Sequence, residues 1–304
     1  MNVIETSGLG RRYGRTWALR DAALAIPAGY VVALVGPNGA GKTTLLHMSV
    51  GLTTPTTGRI TVLDTEPAGS PAALDQIAFV AQDAPLYKNL PVADMLHLTR
   101  NLNRRWDQQR AETRLKELGI PLDRKVGKLS GGQQAQLALT VAVARRPRLL
   151  VLDEPLASLD PLARHDFMAS LMAAVAEDGL SVVLSSHVIA DLERMADYLL
   201  VLSRGQVQVA GEVEGLLAGH STLTGPAAAA DDVAERLAVV HASRAGTVAH
   251  LLVRNNGPAE PVPSGWEAHP VSLEELVLAY LREPGAAALP GPRPRATQDS
   301  GIPA

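Results

Sequence analysis

The sequence predicts an α/β fold built on a mostly parallel sheet covered on both faces. Three observations carry this. Apolar runs recur at residues 31–35, 149–152 and 181–184. Segments of helical length and pattern alternate with them. The runs show little polar alternation, which marks strands buried on both faces, as in parallel sheets.

Residues 1–30 read as short strands with turns, ending at the turn signal Pro27-Ala28-Gly29. A buried strand at 31–35 leads into a helix at 42–50, and further strands are expected at 58–63 and 77–80. From 91 to 118 the pattern turns helical, with Val92, Met95 and Leu96 on one face and Leu115 and Leu118 on another. A strand at 149–152, a helix at 161–177 and a strand at 181–184 follow.

After Gly211 the character changes. Ala227 to Ala230, Gly257-Pro258 and Pro261-Val262-Pro263 interrupt the segment, yet periodic pieces persist at 233–240, 247–253 and 272–281. The last opens on a capping box, Ser272 with Glu275 three residues on. This predicts a main domain at 1–219 with a helical part at about 91–145, a small α/β appendage at 220–283, and a disordered Pro/Gly/Ala-rich tail at 284–304.

The chain of 304 residues is 46% hydrophobic, enough to bury a sizeable core. A net charge of −3 gives no general attraction to nucleic acid. The absence of cysteine excludes disulfides, thiolate metal sites and Cys nucleophiles. No apolar stretch approaches the ~20 residues of a spanning helix. The first residues, Met1 to Thr6, lack the pattern of a secretory signal. The expectation is a soluble chain whose membrane role, if any, runs through a partner.

Gly36-Pro37-Asn38-Gly39-Ala40-Gly41-Lys42-Thr43 follows the 31–35 strand directly. A strand, a Gly-rich turn and Lys-Thr opening a helix form a cradle for a nucleotide triphosphate. The glycines let backbone N–H groups close on phosphate, and the helix adds the positive end of its dipole. Lys42 can reach the β- and γ-phosphates, and the Thr43 hydroxyl, with Thr44 beside it, opens the helix where Mg²⁺ is ligated. Asp153 and Glu154 end the 149–152 strand, where open α/β sheets bind ligands. Asp153 can hold Mg²⁺, and Glu154 can polarise an attacking water as general base.

Leu129-Ser130-Gly131-Gly132-Gln133 makes the chain resemble the ATP-binding subunits of ABC transporters over residues 1–215. Ser130 can cap the following helix, with Gln133 completing a capping box. The resemblance implies a P-loop, RecA-like core with an antiparallel β subdomain and a helical subdomain. It implies ATP and Mg²⁺ as ligands, and a head-to-tail dimer in which Ser130, Gly131, Gly132 and Gln133 close over the nucleotide of the opposite copy. Gln82 matches the glutamine that touches Mg²⁺ and the attacking water. Asp160, in Ser158-Leu159-Asp160, matches the loop that crosses the dimer seam. His187 matches the histidine at the γ-phosphate, and Tyr13 the aromatic that stacks on adenine.

The chain departs from the family in lacking basic residues just after the pentapeptide. Gln134, Ala135, Gln136 and Val141 stand there, and the first positive charges come at Arg145-Arg146. The implied partners are a transmembrane permease on a separate chain and a second nucleotide-binding subunit, with no nucleic acid. The implied place is the cytoplasmic face of a bacterial membrane. Residues 191–197, the single nucleotide-binding unit and the short appendage look similar to type-2 exporters of drug, antibiotic or glycan cargo. A soluble ABC regulator of ribosomes or DNA is the alternative. Paired units or long insertions would favour it, and the chain carries neither.

Overall fold

The computed structural model describes residues 1–67, 70–82, 86–255 and 262–283. The expected tail at 284–304 lies outside them. The chain opens with an antiparallel hairpin of β1 (Asn2–Tyr13) and β2 (Thr16–Pro27). Both strands are long where short ones are expected. Shifts in register after Thr6 and Leu9 let the pair bend rather than end. Next come β3 (Val31–Val35), α1 (Lys42–Ser49) and β4 (Thr57–Val62), which returns to β1 and completes a sheet of order β2-β1-β4.

A short α2 (Pro71–Leu74) and β5 (Ile77–Val80) precede the helical part. That part holds α3 (Val92–Leu102), α4 (Gln108–Glu117) and α5 (Gly131–Ala144). The helical pattern read over 91–118 is thus two helices. Asn103 takes extended backbone, and Asp107 restarts the helix by accepting the Arg110 N–H at 3.0 Å. β6 (Leu149–Leu152), α6 (Pro161–Asp178), β7 (Ser181–Ser186), β8 (Tyr198–Ser203) and β9 (Gln206–Glu212) finish the main sheet.

That sheet has the order β5-β6-β7-β3-β8-β9. Every pairing is parallel except β8 with β9. Two cores flank it, as the two-residue period of β3 requires. Val31, Ala33 and Val35 face a core shared with α5 and α6, through Leu139, Phe167 and Leu171. Val32 and Leu34 face the other, with Leu45, Leu46 and Met48 of α1 and Leu24 and Ile26 of the hairpin. Each large apolar side chain buried in this way contributes about 1.5–3 kcal/mol.

The remaining elements are α7 (Val213–Ala218), β10 (His220–Pro226), α8 (Ala230–Ala234), β11 (Val239–Ala245), β12 (Val248–Arg254), β13 (Glu267–His269) and α9 (Leu273–Arg282). The four strands form a separate antiparallel sheet, β11-β12-β10-β13. α9 carries the expected Ser272–Glu275 capping box. Its Leu273, Leu276, Val277 and Tyr280 join the same core as Leu199 and Val209 of the main sheet. Packing therefore runs continuously across residue 220.

Candidate active site

Four parallel strands end on one cavity of about 300 Å³. β3 delivers the glycine-rich turn, β5 leads to Gln82, β6 to Glu154 and β7 to His187. Pro37, Asn38, Gly39, Ala40, Gly41, Lys42, Thr43 and Thr44 form its floor, with Ala18 of the hairpin on one side. The crevice at the carboxyl ends of open α/β strands is where such sheets bind ligands.

The floor needs its glycines. Gly41, the residue before α1, has φ +105°, and a Cβ there would lie 2.4 Å from the Ala18 carbonyl oxygen. A Cβ on Gly36 would lie 2.3 Å from the Leu202 carbonyl oxygen. No side chain caps α1, so its first turn is presented to the cavity.

Lys42 is 6% exposed. Its ammonium donates to the Gly36 carbonyl at 2.7 Å and lies 3.1 Å from Glu154 Oε1. The other carboxylate oxygen of Glu154 is 2.7 Å from His187 Nδ1. One buried carboxylate thus joins the lysine of the first loop to the histidine of the last. The Glu154 backbone sits at φ +48°, a region non-glycine residues seldom occupy. Such conformations cost on the order of 1–3 kcal/mol and persist where neighbours impose them, commonly at working sites. Here the neighbour is Ser185, whose Oγ accepts the Glu154 N–H at 2.8 Å.

Ser185 also donates to Asp153 Oδ1 at 2.7 Å. Asp153 is 3% exposed and stands behind the cavity wall rather than lining it. Ser185 is not among the residues given a role from the sequence. Its signal is a polar residue at the end of an apolar strand, fully buried in the fold. Ala18 is also missed. It contributes backbone, and backbone contributions leave no mark on residue type.

Two groups of predicted residues stand elsewhere. Ser130 caps α5, accepting the Gln133 N–H while the Gln133 side chain takes the Ser130 N–H. Ser130, Gly132 and Gln133 line a second groove together with Asp160, which caps α6 through the Ala163 N–H at 2.9 Å. Gly131 adjoins them as the first residue of α5. None of these residues lines the phosphate cavity of its own chain. Tyr13 ends β1, half exposed, with the Arg11 guanidinium 4.9 Å above its ring, and it does not line the cavity.

The arrangement suits a polyphosphate. Lys42 is held by one carboxylate and one carbonyl, the type of oxygen that phosphate would replace. For a divalent cation, Thr43 faces the cavity and Asp153 stands behind it. No group of three or more acidic, His or Cys side chains placed to hold a metal ion by themselves exists among the described residues. That donor set fits Mg²⁺, which keeps several waters and takes one or two protein ligands beside phosphate oxygens.

Residues 19–157 match the family model described as ABC transporter. The Fe(3+) ions import ATP-binding protein FbpC of Pseudomonas fluorescens is 36% identical over 218 residues, 69% of this chain and 62% of that protein. The chain therefore spans just under two thirds of that relative. The Nod factor export ATP-binding protein I of Rhizobium leguminosarum bv. viciae is 34% identical over 222 residues, 71% of each. A bacterial ABC transporter cassette solved in dimeric form superposes with a TM-score of 0.61 at 27% identity, covering 69% of this chain and 98% of that one.

Proposed function

Because this chain belongs to the ABC transporter family as an ATP-binding subunit, we propose that it powers a membrane exporter by hydrolysing ATP between two copies of itself. The observation that carries the catalytic reading is the convergence of Lys42, Glu154 and His187 on one cavity at the ends of parallel strands.

In this reading Lys42 and the first turn of α1 bind the β- and γ-phosphates. The γ-phosphate takes the place Glu154 now holds beside Lys42, and Glu154 turns to a water. His187 holds Glu154 and faces the γ-phosphate. Gln82 orients the water. Asp153, Thr43 and Gln82 would hold Mg²⁺, which would supply positive charge against the phosphates. The chain's task is positioning and electrostatic stabilisation rather than covalent chemistry. Tyr13 stacks on adenine from the hairpin tip.

The separate placement of Ser130 and Asp160 supports a composite site. A glycine-flanked helix N-terminus favours an anion, and its own chain's phosphate cavity lies elsewhere. A second copy, arranged head to tail, would bring its nucleotide there. No helix of the described residues is long and apolar enough to cross a membrane, so the translocation path is assigned to a separate permease at the cytoplasmic face. The sheet of β10 to β13 with its helices serves as an accessory unit. The named relatives include both an importer and an exporter. Export is favoured here by the resemblance of residues 191–197 to type-2 exporters and by the export relative, which matches over 71% of each chain.

The test is Mg²⁺-dependent ATP hydrolysis by the purified chain, lost in Lys42→Ala. Direction is read by co-expressing the chain with its permease and preparing inverted membrane vesicles. ATP-driven accumulation of cargo inside them marks export. ATP-driven uptake into right-side-out vesicles would reverse the direction assigned.

A further inference from the structure

The groove that holds Ser130 and Asp160 runs on between α5 and α6 to the end of α4, with a volume of about 550 Å³. Three carboxylates line it, from Glu117, Asp160 and Asp166, and no Lys, Arg or His does. Arg114 on α4 donates to the Ser170 carbonyl at 3.0 Å, lines a neighbouring cavity and interacts with the Glu117 carboxylate. Arg164 on α6 is spent on the Leu159 carbonyl and Asp191.

Gln136 lines the same groove and is 6% exposed. Neither its amide oxygen nor its amide nitrogen has a partner. A buried side-chain amide without hydrogen bonds costs about 1–3 kcal/mol, so it is rarely left idle. Its oxygen lacks a donor in a groove where Asp160 and Asp166 present carboxylates and no cation lines the wall. A planar guanidinium supplies several donors and a positive charge at once.

We propose that this groove, along its Gln136 and Asp166 stretch rather than at the Ser130 helix N-terminus assigned to the opposite nucleotide, binds a guanidinium group supplied by an arginine side chain of a second copy of the chain. Gln136 and Asp166 hold the cation, and Asp160 adds its field. The choice of a second copy rests on the proposed dimer, in which Ser130 and Asp160 of this groove lie at the seam. Arginine fits better than lysine because its fork can meet an amide oxygen and a carboxylate together.

Two measurements test it. In the first, methylguanidinium is titrated into the monomeric chain and thermal unfolding is followed. A saturable rise in Tm of about 2 °C is expected, in line with the sensitivity of chains this size. Asp166→Asn, a change at an exposed residue, should weaken the apparent affinity about tenfold, and Gln136→Leu should weaken it similarly. No rise in the wild type, or the same rise in both variants, overturns the site.

In the second, ATP-driven dimerisation of the Glu154→Gln protein is measured by sedimentation. Adding Asp166→Asn should weaken the dimer about tenfold, and methylguanidinium should compete with dimer formation. A dimer indifferent to both overturns the second copy as the source. A Glu154→Gln protein that stays monomeric with ATP sinks the dimer reading and that source with it. The monomer titration still decides the site in that case.

Discussion

Lys42 and Glu154 form a buried ion pair across the phosphate cavity, 3.1 Å from ammonium to carboxylate, with both side chains about nine-tenths buried. Nucleotide and carboxylate therefore compete for one ammonium. In Glu154→Gln the competitor loses its charge, and a negative group beside the γ-phosphate is removed. ATP should bind this monomer more tightly, by about tenfold or roughly 1.4 kcal/mol. Turnover should fall 10²–10⁴-fold, the usual worth of a general base. Fluorescent-nucleotide titration against steady-state hydrolysis checks both. Weaker ATP binding would mean that the pair is not what phosphate displaces.

Lys42→Ala is expected to act in the opposite way. It leaves the Glu154 carboxylate buried without its cation, and breaking a buried pair costs about 3–5 kcal/mol. Lower stability should accompany the loss of ATP binding. Chemical denaturation without nucleotide separates the two effects. An unchanged midpoint would show that the pair contributes nothing to the resting fold.

Gly41→Ala tests the floor of the cavity. The residue sits at φ +105° and its Cβ would meet the Ala18 carbonyl at 2.4 Å. The clash is with backbone, so either the hairpin or the α1 turn must move. A loss of more than about 2 kcal/mol in stability is expected, with ATP binding abolished. Ala18→Gly should not rescue it, since the obstructing atom is main chain. Thermal melts and nucleotide titration of the single and double variants decide this.

The residues that sequence made legible share a property: each is a side chain delivered by the end of an apolar strand. Lys42, Glu154, Gln82 and His187 could be placed because strand, turn and polar residue recur in order, and the geometry joins them in one cavity. What escaped was carried by backbone or by distant packing. Ala18 acts through its carbonyl, and Ser185 looks like one of two serines ending a strand. The break between α3 and α4 was invisible because periodicity alone does not show where Asp107 caps. The junction near residue 220 read as a boundary because composition changes there. The apolar face of α9 closes the core of the main sheet all the same.

Asp107 shows how the helical part is tied to the rest. It caps α4 and receives the Arg146 guanidinium. The Arg110 N–H first, and Arg146 second, hold its carboxyl below the usual carboxylate range. An unfolded Asp titrates near 3.9. Below that pH the unfolded chain binds a proton that the folded chain refuses, so the stability is complete above it and fades as pH falls towards the lowered folded value. Asp107→Asn keeps a capping oxygen but removes this titration. The variant's unfolding midpoint should therefore fall less steeply than the wild type's below about pH 4. Asp107→Ala should cost about 1 kcal/mol at neutral pH through the lost cap. Denaturation curves across the acid range check both.

His220 and Tyr280 fasten β10 to α9. His220 Nδ1 lies 2.7 Å from the Leu216 carbonyl oxygen, which can only accept, so that nitrogen carries the proton. Nε2 then accepts from the Tyr280 hydroxyl at 2.9 Å. Burial pushes the imidazole below its ordinary value of 6.5, outweighing the Leu216 bond that favours the charged form. The folded chain holds this ring neutral. As pH drops through the unfolded value of about 6.5, the unfolded chain gains a proton first, so stability is whole above that pH and declines below it. His220→Gln should flatten the loss between pH 7 and pH 5. Tyr280→Phe leaves Nε2 buried without a donor and should cost about 1–3 kcal/mol at pH 7.5. Urea unfolding of the three proteins at both ends of the range measures these effects. Equal slopes with pH in the wild type and His220→Gln would mean that this ring is not what the pH dependence reports.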